Sequence, residues 1–317
     1  MKYFTKLVFV HLGEDPYFEK DLQVEAFDST TLVIIGGMDP NTNSLPEVHF
    51  KTKKCFLSHL PKGNHYSQSL VLTSGDFKLL NCGGFDSDVC YQYNMKIDKW
   101  QRHSVLSNKR AGAVGITMPK GVYIFGGTNS PSTVDFLGRS LNYWTPLEDS
   151  MPVDFQWGCG VKISPTELVL IGGFPAYRSV RIFNTDTEEF TPMTNLAHGR
   201  FGHSCVLFND NIIVAGGKMS DGKHMGPTEI ISLKTYSARV SKGNLNYGRM
   251  WFGMHVVGGR FPRVLAVGGS GQKAGFGGLD SIEEWNDEKE EWTIIPISLE
   301  KSRSSFGSLA LPESIIC

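Results

Sequence analysis

The chain has 317 residues, of which 31 are basic and 32 acidic, and its formal net charge is −1 at pH 7. This balance gives no long-range attraction to nucleic acid or to an anionic membrane, so we expect neither as a partner. Hydrophobic residues make up 40% of the chain and 35 residues are glycine, a composition typical of an all-β protein with many turns.

The first apolar run, Leu7 to Val10, follows Lys2 and Lys6. It is too short for a signal peptide, His11 interrupts it, and no small-residue cleavage site follows. We expect a β-strand there. Residues 1–21 are accordingly assigned to an N-terminal extension, and residues 22–317 to one domain built from the repeats that follow.

Four mostly apolar residues followed by two glycines form a pattern that occurs six times. The glycine pairs are Gly36-Gly37, Gly83-Gly84, Gly126-Gly127, Gly172-Gly173, Gly216-Gly217 and Gly268-Gly269. Successive pairs lie 47, 43, 46, 44 and 52 residues apart. Such near-equal spacing indicates a repeat protein.

Two further sequence features recur with the same repeat length as the glycine pairs. An arginine precedes a strand glycine in four repeats, at Arg110, Arg200, Arg249 and Arg303. Two bulky residues seven positions apart follow the pair, as in Tyr93 and Trp100, Leu137 and Trp144, Phe183 and Phe190, and Trp285 and Trp292. That spacing suits two antiparallel strands joined by a short turn, each burying one large side chain.

Each repeat therefore predicts four antiparallel strands, and the apolar run is the pattern of a strand buried on both faces. A single sheet of this kind cannot bury both faces by itself, whereas sheets stacked around an axis can. The sequence thus predicts an all-β, six-bladed β-propeller with four antiparallel strands per blade.

The order of these signals resembles the Kelch repeat. Residues 183–217, which include Gly202-His203-Ser204, come closest to that family's pattern, and the resemblance covers about residues 30–311. It implies a Kelch propeller like that of BTB-Kelch proteins, without the BTB and BACK domains. The first and fifth repeats depart from the pattern at the bulky pair, and the third lacks the arginine.

The last apolar segment, Arg303 to Leu311, has the pattern of an innermost strand. In Kelch propellers such a strand completes the first blade, so we expect the C-terminal strand to close the ring. Leu22 to Phe27 is a second candidate for that position, and Tyr3 to Val10 is a strand without an assigned place. The alternative is a seventh, partial blade built from both termini.

The six cysteines show neither a Cys-x-x-Cys motif nor regular spacing; they are Cys55, Cys82, Cys90, Cys159, Cys205 and Cys317. We expect free thiols and a cytoplasmic location, because a chain of this size can build a core without disulfides.

Loops on a rigid scaffold usually carry recognition, and in Kelch proteins one face collects the loops after the glycine pairs and those leading to the arginine. The predicted partner-binding residues on these loops are Tyr177, Arg178, Lys223, His224, Gln272, Lys273, Arg110, Arg200, Arg249, Trp251 and Arg303. Tyrosine, tryptophan and arginine are enriched at binding hot spots. The alternative for the repeated arginines is a structural role in blade packing.

No motif indicates catalysis. Gly268 to Gly278 contains neither a dinucleotide-binding nor a P-loop pattern, and the nine histidines include no metal-binding spacing. We predict no cofactor, no metal and no enzymatic activity. The favoured function is protein binding, with substrate recognition for a ubiquitin-ligase complex as one form of it. An actin-binding protein and a sugar-processing Kelch enzyme are the alternatives.

Overall fold

The computed structural model describes residues 30–38, 69–72, 78–85, 87–94, 96–97, 99–139, 141–148, 151–219, 226–258, 262–271 and 278–312. These residues form strands, turns and bends and contain no helix. Consequently, no helix in this part of the chain is long or apolar enough to cross a membrane.

The strands in the first half of the chain are β1 (Thr30–Met38), β2 (Ser69–Leu72), β3 (Leu79–Cys82), β4 (Val89–Asn94), β5 (Lys99–Val105), β6 (Val114–Met118), β7 (Gly121–Phe125), β8 (Val134–Gly138), β9 (Thr145–Pro146), β10 (Phe155–Gln156), β11 (Cys159–Lys162) and β12 (Glu167–Ile171). Those in the second half are β13 (Phe174–Pro175), β14 (Ser179–Asn184), β15 (Glu189–Asn195), β16 (Ser204–Phe208), β17 (Asn211–Ala215), β18 (Pro227–Ser232), β19 (Ser237–Asn244), β20 (Arg249–Met250), β21 (Gly253–Val257), β22 (Arg263–Val267), β23 (Ser270–Gly271), β24 (Leu279–Asn286) and β25 (Glu291–Pro312).

The strands group into antiparallel sheets that are the blades of a β-propeller. The first blade is β2-β3-β4-β5, the second β6-β7-β8-β9, the third β11-β12-β14-β15 and the fourth β16-β17-β18-β19. The fifth sheet has the order β21-β22-β24-β25-β1. The innermost strands β2, β6, β11, β16, β21 and β25 contact one another in turn, and β25 also contacts β2. The predicted all-β propeller is therefore confirmed.

The predicted number of six blades is wrong for the residues that the structure describes, which form five. The first repeat contributes only β1, and β1 joins the fifth sheet by pairing with β25 from Thr30↔Pro312 to Met38↔Ser304. The expected closure is not formed either, because no ladder in the described ranges joins this sheet to the first blade. Residues 1–29 and 39–68, with the two further N-terminal strand candidates, lie outside the described residues.

Three of the four predicted bulky pairs lie opposite each other. Tyr93 pairs with Trp100, Phe183 with Phe190 and Trp285 with Trp292 across the two outer strands of their blades. Their ring centroids are 5.3, 4.7 and 5.3 Å apart, within the range that favours tilted aromatic contacts. The second strand of each blade is the most buried; every residue of β7 is buried, for example. Hydrophobic burial between blades is thus the main stabilising term.

The two glycines of each pair have different roles. The second glycine donates its N–H to a carbonyl of the next blade, as in Gly127 to Phe155 and Gly173 to Arg200, at 2.8 and 2.9 Å. The first takes a left-handed conformation, with φ of +57° at Gly172. A Cβ there would lie 2.6 Å from the imidazole of His203 in the next blade. The motif therefore serves the contact between blades as well as the turn.

Four cysteines contradict the expectation of free thiols. Cys82 and Cys90 face each other in the register of β3 and β4, with Cα atoms 4.0 Å apart, and form a disulfide. Cys159 and Cys205 lie on the innermost strands of the third and fourth blades, with Cα atoms 5.9 Å apart, and form a second. Both separations lie near or within the range that a disulfide can span. Cys55 and Cys317 lie outside the described residues.

Candidate functional site

Two kinds of connecting segment lie at the same end of the blades. The segments after the glycine pairs and the segments leading into the next innermost strand both lie there, because the strands of each blade alternate in direction. We call this end the loop face. It carries all the predicted partner-binding residues that fall in the described ranges.

Equivalent residues of neighbouring blades form a chain of backbone hydrogen bonds at the loop face. Trp157 N–H donates to Gly112 O, Gly202 N–H to Trp157 O, Trp251 N–H to Gly202 O and Ser305 N–H to Trp251 O, at 2.6 to 3.0 Å. All five residues have φ between +52° and +65°. Two of the five are glycine, for which this conformation is inexpensive.

The two tryptophans of this chain are held in a conformation that bulky residues rarely adopt. Trp157 has a φ of +52° and Trp251 one of +53°, and both side chains are partly exposed. The indole of Trp157 lies over Gly112, where an added Cβ would come within 2.1 Å of its Cδ1, and the indole of Trp251 lies over Gly202. The bare glycines thus make room for the two indoles, which line the central channel between the innermost strands.

Four aromatic rings form a continuous surface on this face, which we call the aromatic surface. It consists of Trp157, Phe201, Tyr177 and Phe174, whose successive ring centroids lie 6.2, 6.0 and 5.8 Å apart. Phe174 is 41% exposed, and the other three side chains are partly exposed. The rings come from connections of the third and fourth blades.

Short pairings fix the loops that carry these rings. Gln156 pairs with Phe174 between β10 and β13, and Phe201 pairs with Lys218 in an isolated bridge. Arg200 N–H also donates to Tyr177 O at 2.9 Å. The aromatic surface is therefore held in place by backbone hydrogen bonds before any partner arrives.

Arg178 lies beside the aromatic surface as an exposed cation. Its Nε donates to Leu196 O at 2.6 Å, and its stem passes close to Gly199, whose added Cβ would lie 3.1 Å from Arg178 Cγ. The anchored stem leaves the charged end of the side chain at the surface, where a planar guanidinium can bind a carboxylate in bidentate fashion. The predicted residues Tyr177 and Arg178 thus lie together, and Trp251 occupies the position of Trp157 two blades further on.

The repeated arginines are placed differently. Arg110, Arg200 and Arg249 are at most 1% exposed. Each donates to the carbonyl of the first glycine of its own repeat, at Gly126, Gly216 and Gly268 respectively, and each pairs with a buried acid. These acids are Asp135, Glu229 and Glu283. Burial lowers the pKa of each arginine, and the neighbouring carboxylate opposes that effect.

The acids also hold the incoming loops. Asp135 accepts the N–H of Ser107, Glu229 those of Ala197 and His198, and Glu283 those of Asn246 and Tyr247. These contacts indicate that the three arginines have a structural role in blade packing, which was the alternative to partner binding. We therefore exclude them from the candidate binding surface. Arg303 is also buried, at 7% exposure. In the third blade Phe155 takes the arginine position and is buried.

Four predicted partner-binding residues lie outside the described residues: Lys223, His224, Gln272 and Lys273. Their assignment stays a prediction. In the ranges that are described, no group of three or more histidine, cysteine, aspartate or glutamate side chains is arranged to hold a metal ion.

Sequence reasoning missed two members of the aromatic surface, Phe174 and Phe201. Both follow a repeat landmark directly, Phe174 after the second glycine of its pair and Phe201 after Arg200. An apolar aromatic residue where loops are usually polar was the available signal.

No protein-family model matches this sequence, and no curated protein matches it either. The Kelch resemblance therefore stays a prediction from the repeat pattern, and the site must be interpreted from its own geometry.

Proposed function

We propose that this chain is a protein-binding propeller of the Kelch type, and that it recognises its partner through the aromatic surface and Arg178. The β-propeller is commonly an interaction scaffold, because its blades form a rigid base for loops that differ in sequence. The observation that carries the proposal is the contiguous set of four rings, formed by loops of two blades and anchored by backbone pairing.

The chemistry of this surface suits a protein partner. Aromatic side chains and arginine are the residue types that dominate binding energy at protein interfaces. An exposed Phe174 next to the exposed cation of Arg178 favours a segment that presents an apolar side chain beside a carboxylate. Because the loops are already ordered, little conformational entropy would be lost on binding.

The partner class is a further part of the proposal. Substrate recognition for a ubiquitin ligase and binding to actin are the two uses that the Kelch resemblance implies. The absence of enzymatic activity and the cytoplasmic location likewise remain predictions.

Affinity capture from cell lysate tests the binding claim. The double variant Phe174→Ser/Arg178→Glu removes the exposed ring and reverses the charge without touching the buried arginine pairs. We expect a small set of proteins, captured by the wild type, to be depleted at least tenfold with this variant, as measured by quantitative mass spectrometry. Co-sedimentation with actin filaments distinguishes the cytoskeletal class from ligase components among the captured proteins.

Tyr143→Ser is the matched control. Tyr143 is 58% exposed and lies between β8 and β9, at the opposite end of the blades from the loop face. If the control loses the same proteins as the double variant, or if neither variant loses any, the assignment of the loop face is wrong.

A further inference from the structure

The four rings of the aromatic surface form a row rather than a cluster. Among the described residues, each ring contacts only the next one in the series Trp157, Phe201, Tyr177 and Phe174, in centroid steps of 6.2, 6.0 and 5.8 Å. Each step is close to the rise of two residues in a polyproline II helix, at about 3.1 Å per residue. The whole row therefore matches an extended segment of about six residues.

The backbone of this surface is already paired. The carbonyls of Trp157 and Tyr177 each accept an N–H from the segment before β16, at 2.6 and 2.9 Å. Phe201 exchanges two backbone hydrogen bonds with Lys218, at 3.1 and 2.8 Å. These residues therefore present their rings to a partner rather than a free strand edge to which a β-strand could be added.

Two polar side-chain atoms remain open on this surface. Tyr177 Oη and Trp157 Nε1 make no hydrogen bond with any described residue, and neither atom is buried. Trp157 Nε1 lies beside Gly112 at one end of the row, whereas Tyr177 lies towards the other end. An indole N–H can only donate, and a phenol hydroxyl can donate as well. The surface thus offers hydrogen-bond donors next to apolar rings.

A proline-rich segment has the complementary chemistry. Each proline carries a carbonyl acceptor but no N–H, so such a segment would leave no backbone donor unpaired against this surface. It also adopts the polyproline II helix without internal hydrogen bonds, which leaves its carbonyls free to accept. Because that helix is formed before binding, little conformational entropy is lost when it docks on aromatic rings.

Two cations accompany the row of rings. Arg178 follows Tyr177 and is exposed, and Lys218 is partly exposed. Lys218 lies opposite Phe201 in an antiparallel bridge, which places the two side chains on the same face. Neither cation makes an ion pair with a described residue. A partner that carries carboxylates beside its prolines would therefore be electrostatically complementary.

We propose that the aromatic surface binds a proline-rich segment in the polyproline II conformation, with an acidic residue next to the prolines. The rings would pack against the proline side chains, Tyr177 Oη and Trp157 Nε1 would donate to carbonyls of the segment, and Arg178 and Lys218 would bind its carboxylates. This inference rests on the proposed function, because it specifies the partner of the same surface.

Fluorescence anisotropy with the purified chain tests the proposal, using a fluorescein-labelled peptide of six prolines between two glutamates. At pH 7.5 this peptide should bind saturably, with a dissociation constant below about 0.5 mM. Two peptides of equal length are the controls. One keeps the glutamates and replaces the prolines by alternating glycine and serine, and the other keeps the prolines between two lysines. Each control should bind at least about tenfold more weakly.

Tyr177→Phe isolates the hydrogen bond from the tyrosine to the peptide. The variant keeps the ring, so its melting temperature should be unchanged, while its affinity for the proline peptide should fall about fivefold. Tyr143→Phe removes an exposed hydroxyl at the opposite end of the blades and should bind with wild-type affinity. The double variant Phe174→Ser/Arg178→Glu should show no saturable binding.

Equal affinity for the proline peptide and the glycine–serine peptide would overturn the proline-rich assignment. Unchanged binding of the proline peptide by both Tyr177→Phe and the double variant would also overturn it, because the peptide would then bind elsewhere. If no peptide binds, while the double variant still loses proteins that the wild type captures from lysate, the proline-rich class is wrong and the protein-binding surface stands.

Discussion

At the level of single residues, the guanidinium of Arg200 joins three parts of one repeat. It donates to the carbonyls of Gly216 and Pro227 and to the carboxylate of Glu229, which in turn holds the N–H groups of Ala197 and His198. The regular position of the arginines within the repeat was visible in the sequence. Their acid partners were not, because Asp135, Glu229 and Glu283 lie at unequal distances from their glycine pairs, set by loops of different length.

Glu229→Gln should therefore be strongly destabilising. It leaves the buried charge of Arg200 without its counter-ion, a change that typically costs about 3–5 kcal/mol. Glu290→Gln is the matched control, since the pair of Glu290 with the 57% exposed Arg239 should contribute less than about 1 kcal/mol. Urea unfolding of the two variants measures the difference. Similar losses for both would contradict a special role for the buried pairs.

The two histidines of the channel wall predict a dependence of stability on pH. Burial lowers the pKa of His203 to about 3 and that of His255 to about 4, whereas an unfolded histidine titrates near 6.5. The unfolded chain therefore binds protons that the folded chain does not, and stability is lost as pH falls from about 6.5 towards these values.

His203→Phe removes one of these two contributions. Between pH 6.5 and pH 4 the wild type should lose about 1.4 kcal/mol more per pH unit than the variant. Urea unfolding at half-unit steps of pH measures both slopes, and the buried carboxylates cancel in the comparison. Parallel slopes would mean that His203 is not held neutral in the folded protein.

At the level of strands, the cysteines show what residue spacing in the sequence can and cannot predict about disulfides. Cys159 and Cys205 are 46 residues apart, which is close to the mean repeat length, so they occupy neighbouring positions on adjacent innermost strands. This match between the cysteine separation and the repeat length was the feature of the sequence that could have predicted the disulfide. Whether two such residues face each other depends on the twist and offset of two blades, which the sequence pattern does not specify. The repeat and three of the four bulky pairs, by contrast, follow from local periodicity and were predicted correctly.

The two disulfides should differ in their effect on stability. Cys159–Cys205 closes a loop of 46 residues and Cys82–Cys90 one of 8, so loop-closure entropy assigns them about 4 and about 2.5 kcal/mol. Replacing each pair by serine and following thermal unfolding under oxidising conditions tests this order. A larger loss from the Cys82/Cys90 variant would contradict it.

At the level of the whole molecule, each blade is stabilised mainly by its contacts with neighbouring blades. Hydrogen bonds from the second glycines link successive repeats from Gly84 to Arg303, and the left-handed residues add a second chain around the central channel. The propeller was predictable because each repeat leaves both faces of its sheet to be covered. The blade count was not, because it depends on whether β1 starts a sheet or joins β25.

This rigid ring holds the aromatic surface in place, and we propose that a protein partner binds there. Site-specific photo-cross-linking tests it most directly, with a benzophenone side chain placed at Phe174 and, as control, at Tyr143 on the opposite end of the blades. We predict discrete cross-linked proteins from cell lysate at position 174, absent at position 143 and abolished by Arg178→Glu. Identical cross-link patterns at the two positions, or none at position 174, would contradict the claim.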